Sequence, residues 1–202
     1  MIVARMASWR LESTNARLHR LAEQTRALAK RLGKGQLDVR VEVGPEAKRL
    51  PAGSWHEMFS AMIHVVRNAV DHGVEPPEQR ALTGKPETPS IVLRADAVPG
   101  HLAIEIEDDG RGVAWERVAE KGRALGRPVE THDDLVALLF TDGVSTRSTV
   151  SEISGRGVGL GAIYDACVRQ GGAVEVRSEP GAGTCFRFLV PTSERMPSAA
   201  AA

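Results

Sequence analysis

The chain has 202 residues, enough for one domain with a core of useful volume plus a tail. Lysine and arginine balance aspartate and glutamate at 26 each, which argues against a nucleic-acid surface or a polybasic membrane anchor, and aromatic residues at 4% offer little to stack on bases. No apolar run approaches the ~20 residues that span a bilayer and no signal peptide is visible, so a cytoplasmic protein without membrane insertion is expected.

Residues 8–32 carry Leu11, Leu18, Leu21, Ala22, Leu28, Ala29 and Leu32 at helical spacing, and Gly33 closes the run. His19 lies in this helix. A phosphoacceptor histidine is usually followed directly by an acid, and Arg20 follows here, so a surface histidine is expected. Leu37, Val39, Val41 and Val43 alternate with polar residues, the pattern of a half-exposed strand. Gly44-Pro45 turns the chain, and a second helix is expected from about Ser54, an N-cap with Glu57 in the capping-box position.

That helix carries the most informative stretch, His64-Val-Val-Arg-Asn68-Ala-Val-Asp71-His72-Gly73. At about 100° per residue, Met58, Met62, Val65, Val66 and Ala69 share one face, and His64, Asn68, Asp71 and His72 fall on the other. The apolar seam would seat the helix on a core, leaving an amide, a carboxylate and two imidazoles above it. Asn68 offers a neutral carbonyl oxygen, a hard ligand for Mg²⁺ that adds no charge beside a polyphosphate. His64, one turn earlier, could orient or deprotonate an attacking group. Taken alone, the same spacing also describes a solvated polar face.

Gly73 to Pro89 reads as a loop, with Pro76-Pro77 and Gly84-Lys85-Pro86 as breakers. Ser90 to Ala97 and His101 to Glu107 read as strands joined at Pro99-Gly100 into an antiparallel hairpin. The second strand runs into Asp108-Asp109-Gly110-Arg111-Gly112. A carboxylate at a strand end can accept a hydrogen bond from an exocyclic amine such as that of adenine, and the glycines leave room for a flat base; a tight turn with an aspartate is the alternative. Helices follow from about Ala114 to Leu125 and from Asp133 to Phe140.

Thr141 to Ser154 lacks a clear period and reads as a mobile loop. It ends in Gly155-Arg156-Gly157-Val158-Gly159, before a helix marked by Leu160, Ile163, Cys167 and Val168. Glycines there let the backbone approach phosphates, and a helix N-terminus adds bare N–H donors. No strand precedes the run, as a dinucleotide fingerprint requires, and no Lys-Ser/Thr pair follows, as a Walker loop requires. Gly171-Gly172 stops the helix, Val174 and Val176 mark a strand, and Gly181-x-Gly183-Thr184 turns into a last strand ending at Val190. Cys167 and Cys185 lack metal-ligand spacing and are expected as buried, reduced thiols. Residues 193–202 are expected to be a disordered tail. Helices and antiparallel strands in this order point to an α+β two-layer sandwich.

Together the segments resemble the ATP-binding kinase domain of the GHKL superfamily, the Bergerat fold, and more narrowly that of the CheA chemotaxis histidine kinases. The stretches that carry the resemblance are His64 to Glu75, Gly84-Lys85-Pro86, Asp108 to Val113, Ser145-Thr146, Ser154 to Gly159 and Gly183-Thr184, and it runs from about Ala29 to Pro191. It implies a mixed, mostly antiparallel sheet, with residues 34–192 as the catalytic domain and 1–33 as a helical linker or the end of a dimerisation segment.

Site roles follow from the resemblance residue by residue. Asn68 would bind the Mg²⁺ that bridges the ATP phosphates, and His64 would be the catalytic group. Arg67, Asp71 and His72 would contact phosphates or organise the site. Arg117 and Lys121 match positions that often hold basic phosphate ligands, and both could equally be solvated helix residues. Asp108 would receive the adenine amine, with Gly110, Gly112 and Thr184 around the base. Residues 141–159 would form the ATP lid, in which Ser145, Thr146, Gly155, Arg156, Gly157, Val158 and Gly159 serve the phosphates.

Two departures from the family pattern fall in or beside the lid. Asp142-Gly143-Val144 stands where Pro-Gly-Phe is usual, and Leu160-Gly161 where Met-Asp is usual. The first removes an aromatic; Gly161 costs about 1 kcal/mol of helix propensity relative to alanine.

The implied activity is transfer of the γ-phosphate of Mg-ATP to a histidine of a phosphotransfer domain, and onward to a response regulator. A CheW-like coupling protein and a receptor are implied as further partners, with homodimer formation through segments outside this chain. Three other readings share the fold. A nucleotide-binding pseudokinase is opposed by intact His64 and Asn68. An anti-sigma-type serine kinase is opposed by the pairing of His64 with Asp71-His72-Gly73. A hydrolytic ATPase, such as gyrase or MutL, would carry a glutamate where His64 stands.

Overall fold

The computed structural model describes residues 11–47, 49–51, 56–141 and 160–192. The first described element is a short strand, β1 (Leu11–Ser13), which runs directly into helix α1 (Thr14–Arg31). Ser13 explains the boundary: its hydroxyl accepts from the Ala16 amide at 3.3 Å, so the helix begins there and not at residue 8. Lys30 and Arg31 lie in the last turn, where they complement the helix dipole. Leu18, Leu21, Ala22, Leu28 and Ala29 are buried in the common core, against helix α2 and strand β2. Helix α1 lies in the segment expected as a helical linker or the end of a dimerisation segment, and His19 on it is exposed.

Strand β2 (Asp38–Val43) follows, and β3 (Arg49–Pro51) returns to pair antiparallel with β1. Helix α2 (His56–Asn68) passes without a break into a single π turn, Ala69–Gly73, in which the Val74 amide donates to the Ala69 carbonyl at 2.8 Å. The expected N-cap at Ser54 lies outside the described residues. A short helix α3 (Pro77–Leu82), begun by proline in its first turn, interrupts what the sequence suggests is plain loop.

Strands β4 (Ser90–Val98) and β5 (His101–Asp108) form the expected hairpin. Helices α4 (Trp115–Ala124) and α5 (His132–Leu139) pack on each other through Val118 and Leu138, and Thr131 and Asp134 close a reciprocal capping box at the start of α5. Helix α6 (Leu160–Arg169) leads to β6 (Ala173–Glu179) and β7 (Gly183–Pro191).

The main sheet has five strands in the order β2-β4-β5-β7-β6. Only β2 and β4 run parallel; the other three pairings are antiparallel, so the sheet is mixed and mostly antiparallel as expected. Alternation along the strands divides its faces. Ile91, Leu93, Ile104, Ile106, Phe186 and Phe188 point into the core shared with α1, α2 and α6. The opposite face carries Glu42, Arg94, Glu105, Arg187 and Glu175, which stand opposite one another across all five strands with alternating charge. Arg94 pairs with Glu42 at 2.7 Å, and Arg187 reaches Glu105 at 3.2 Å and Glu175 at 3.1 Å. Cys167 and Cys185 are free and buried. Among the described residues no helix is long and apolar enough to cross a membrane.

Candidate functional site

Asp108 ends the central strand β5 on the core-facing side, opposite Ile91 on one neighbour and Thr184 on the other. Only 6% of it is exposed. Loss of water around the carboxylate pushes its pKa up from 3.8 to about 6, opposed by hydrogen bonds from the Gly110 and Thr184 amides, while the nearby Asp109 charge pushes the same way as burial. The group is therefore a buried acceptor, held at two amides, at the open end of an apolar core.

The turn that follows is locked to two neighbours. The Gly110 amide donates to Asp108 Oδ1 at 2.9 Å, and the Arg111 amide donates to the Gly73 carbonyl at 3.0 Å. A Cβ built on residue 110 would collide with that same carbonyl, so only glycine allows the π turn and the Asp108 turn to touch. Gly112 has φ +76° and lies against the Glu179 carbonyl. The glycines read from sequence as room for a base are here demanded first by backbone against backbone. Ser178 completes the seam, its hydroxyl accepting from the Val113 amide at 2.8 Å and lying 3.0 Å from the Thr184 hydroxyl.

Behind the turn lie charges that sequence reading missed. Arg80 of α3 is fully buried, with Nη2 2.8 Å from Asp109 Oδ2, Nη1 3.2 Å from Oδ1 and Nε donating to the Pro86 carbonyl at 2.6 Å. Ser90 adds two more donors to the Asp109 carboxylate, its amide and its hydroxyl, both at 3.0 Å. Lys85 Nζ donates to Glu75 Oε2 at 2.7 Å and to the Gly110 carbonyl at 2.8 Å. Within a segment rich in proline and glycine, Glu75, Arg80 and Lys85 carry no periodicity that separates buried charges from surface ones. The sequence signal was indirect: Glu75 and Lys85 fall within stretches that carry the family resemblance, which gave them no role, and Arg80 stands between the two breakers with nothing to mark it.

On α2 and the π turn that continues it, Met58, Met62, Val65, Val66 and Ala69 are all buried, so the predicted seam seats the helix as expected. His64, Asn68 and Asp71 are half-buried, and Arg67 and His72 are exposed. Burial lowers the pKa of His64 below its usual 6.5, and the Arg67 charge lowers it further, so the ring is a neutral imidazole with a lone pair at neutral pH. Lys34, in the link after α1, donates to the carbonyls of Asp71 at 2.9 Å and Val74 at 3.4 Å, placing a cation at the C-terminal end of the helix. His72 Nε2 lies 3.6 Å from Asp71 Oδ2.

The fold thus joins Asp108, Gly110, Gly112 and Thr184 in one hydrogen-bonded seam and connects that seam to the end of the helix that carries His64, Asn68, Asp71 and His72. Arg117 is exposed and Lys121 half-buried on α4, the helix that leaves the seam after Gly112. Ser145, Thr146, Gly155, Arg156, Gly157, Val158 and Gly159, the lid residues of the sequence reading, lie outside the described residues. Among the described residues no cluster of His, Cys, Asp or Glu could hold a metal ion by itself.

The family profile of histidine kinase-, DNA gyrase B- and HSP90-like ATPases matches residues 57–194. The chemotaxis protein CheA of Salmonella typhimurium is 35% identical over 175 residues, covering 85% of this chain and 26% of that protein. That of Bacillus subtilis is 39% identical over 141 residues, 67% of this chain and 21% of that protein. The chain therefore spans about a quarter or less of the length of these relatives. Among solved structures, full-length ShkA in complex with AMPPNP superposes with a TM-score of 0.56 at 22% identity, over 90% of this chain and 31% of that one, a likeness of fold. With α2 on a mixed sheet, Asp108 at its open end and a profile match from α2 to the end of β7, the chain belongs to the histidine kinase-, DNA gyrase B- and HSP90-like ATPase family.

Proposed function

We propose that this chain is the ATP-binding catalytic domain of a CheA-like protein histidine kinase, which binds Mg-ATP and passes its γ-phosphate to a histidine on a phosphotransfer domain. The observation that carries the reading is Asp108: a carboxylate only 6% exposed at a strand end, held by the Gly110 and Thr184 amides and pushed by burial to a pKa of about 6. Such a group is costly for the fold and is explained by a partner that donates to it, and the exocyclic amine of adenine is one. The relatives' names and the nucleotide analogue bound to ShkA point the same way.

Asn68, half-buried at the last α-helical position, has a neutral oxygen suited to one position around Mg²⁺, with most other ligands coming from the phosphates and water. The ion would neutralise charge on the transferring phosphoryl group. In the transfer, the bond from the γ-phosphorus to its bridging oxygen breaks as a nitrogen–phosphorus bond forms on the acceptor imidazole, and ADP leaves. His64, uncharged, can accept a hydrogen bond from the acceptor ring and take the proton that it releases. A response regulator would then take the phosphoryl group, and a CheW-like coupling protein and receptor would govern the rate; dimerisation would use segments outside this chain. The altered lid favours a second, weaker reading as a nucleotide-binding regulatory module.

The test is transfer from γ-labelled ATP to an isolated histidine phosphotransfer domain of a chemotaxis kinase. The expected result is an acid-labile phosphate on the acceptor, lost in Asn68→Ala and reduced in His64→Gln. Nucleotide binding without transfer, across several acceptor domains, would favour the regulatory module.

A further inference from the structure

We propose that Lys85 and Arg80 are positioning residues for base recognition, a largely buried cationic rack that holds the Asp108–Gly110 turn where its carboxylate can select an exocyclic amine. The inference rests on the reading of Asp108 as the base acceptor. Three consecutive residues are held by different partners. Asp108 Oδ1 is held by the Gly110 amide, the Asp109 carboxylate by Arg80 and Ser90, and the Gly110 carbonyl by Lys85. Lys85 is itself fixed from behind by Glu75 at 2.7 Å. Gly110 is thus gripped at both its amide and its carbonyl, and the grip on the amide is the one that aims the carboxylate.

Stability alone does not account for this arrangement. Buried ion pairs roughly break even against well-packed apolar side chains, because desolvation offsets attraction. What they add is direction: the fork of Arg80 grips both oxygens of the Asp109 carboxylate, and the Lys85 ammonium holds the Gly110 carbonyl. Neither side chain is itself among the groups read as touching nucleotide. Their effect runs through the backbone of the turn. Lys85 also acts directly on the acceptor, because its charge favours the ionised form of Asp108.

The experiment compares binding of ATP with binding of purine riboside triphosphate, which lacks the exocyclic amine, by calorimetry on the full chain. The variants are Lys85→Met, Lys85→Gln and Asp108→Asn, each checked for a cooperative unfolding transition. Wild type is expected to prefer ATP by about tenfold or more, the range of one hydrogen bond to a charged group. Lys85→Met is expected to bring the two affinities within about threefold of each other while remaining folded, and Lys85→Gln, which keeps a donor, to lie between. A generally weakened fold would lower both affinities together and leave their ratio unchanged, which would overturn the proposal. Loss of the cooperative transition in both Lys85 variants would equally overturn it, by making Lys85 a strut. A wild type that does not distinguish the two nucleotides, or an Asp108→Asn variant that keeps the full preference, would instead remove the reading of Asp108 beneath it.

Discussion

Asp108 is 6% exposed and its turn is tied to the π turn, to the β6–β7 hairpin and to the Arg80–Lys85 segment, whereas His64 and Asn68 are half-buried and His72 is exposed at the end of α2. One end of the candidate site is built before any ligand arrives; the other presents polar groups toward solvent. The difference suits the two halves of a nucleotide. A base has one rigid shape, and preorganising its acceptor lowers the cost of binding. Phosphates, metal and an incoming acceptor histidine change during the reaction, and groups that serve them must be reachable by more than one partner.

If the base end is a prebuilt frame, its removal should cost most. Arg80→Met leaves the half-buried Asp109 carboxylate with only its Ser90 donors and empties a fully buried site of its hydrogen bonds, and is expected to destabilise the chain by about 2–3 kcal/mol in urea unfolding. Next comes Asp108→Asn, expected to lower ATP affinity about tenfold or more while raising the melting temperature by about 3 °C. The opposite signs follow because the ionised carboxylate is costly to bury and useful only with a base present.

The same group sets a pH dependence. Its folded pKa of about 6 lies above the usual 3.8, so the folded chain binds the extra proton in that window. The stability contributed by this group is full below about pH 4 and is lost as pH rises through 6. ATP affinity should run the other way, falling as pH drops through about 6, and the two titrations can be followed by thermal melts and calorimetry in parallel. At the solvent-facing end on α2, the lowered pKa of His64 predicts that phosphotransfer persists below pH 6.5, and an acid limb at or above that value would contradict a neutral His64. The smallest effect belongs to the far face of the sheet: Glu42→Gln, at the exposed end of the charge row, should shift stability by no more than about 0.5 kcal/mol and leave nucleotide binding unchanged.

Sequence and structure agree where the physics is local and periodic. The α2 seam was legible because its apolar residues recur at the helical period, and the β4–β5 hairpin and the β7 strand because apolar runs are bounded there by Pro-Gly and Gly-rich turns. The start of α1 was misplaced because Leu11 fits the helical period, yet the hydroxyl of Ser13 and the pairing of β1 with β3 decide the boundary. Asp108 stood out because a carboxylate between an apolar strand and two glycines is conspicuous, although the reason for Gly110, a carbonyl thirty-seven residues earlier in the chain, is not local. Arg80 and Lys34 were invisible, and Lys85 stood out only as part of a Gly-Lys-Pro run without a role, for the same cause: their partners are backbone carbonyls and carboxylates brought near only by the fold.

The most direct single measurement is calorimetric titration of ATP, with and without Mg²⁺, into the wild type and Asn68→Ala. The expected result is magnesium-enhanced binding by wild type and loss of that enhancement in Asn68→Ala. Absence of ATP binding by a folded wild-type chain, or an enhancement that survives Asn68→Ala intact, would contradict the assignment of this site to Mg-ATP.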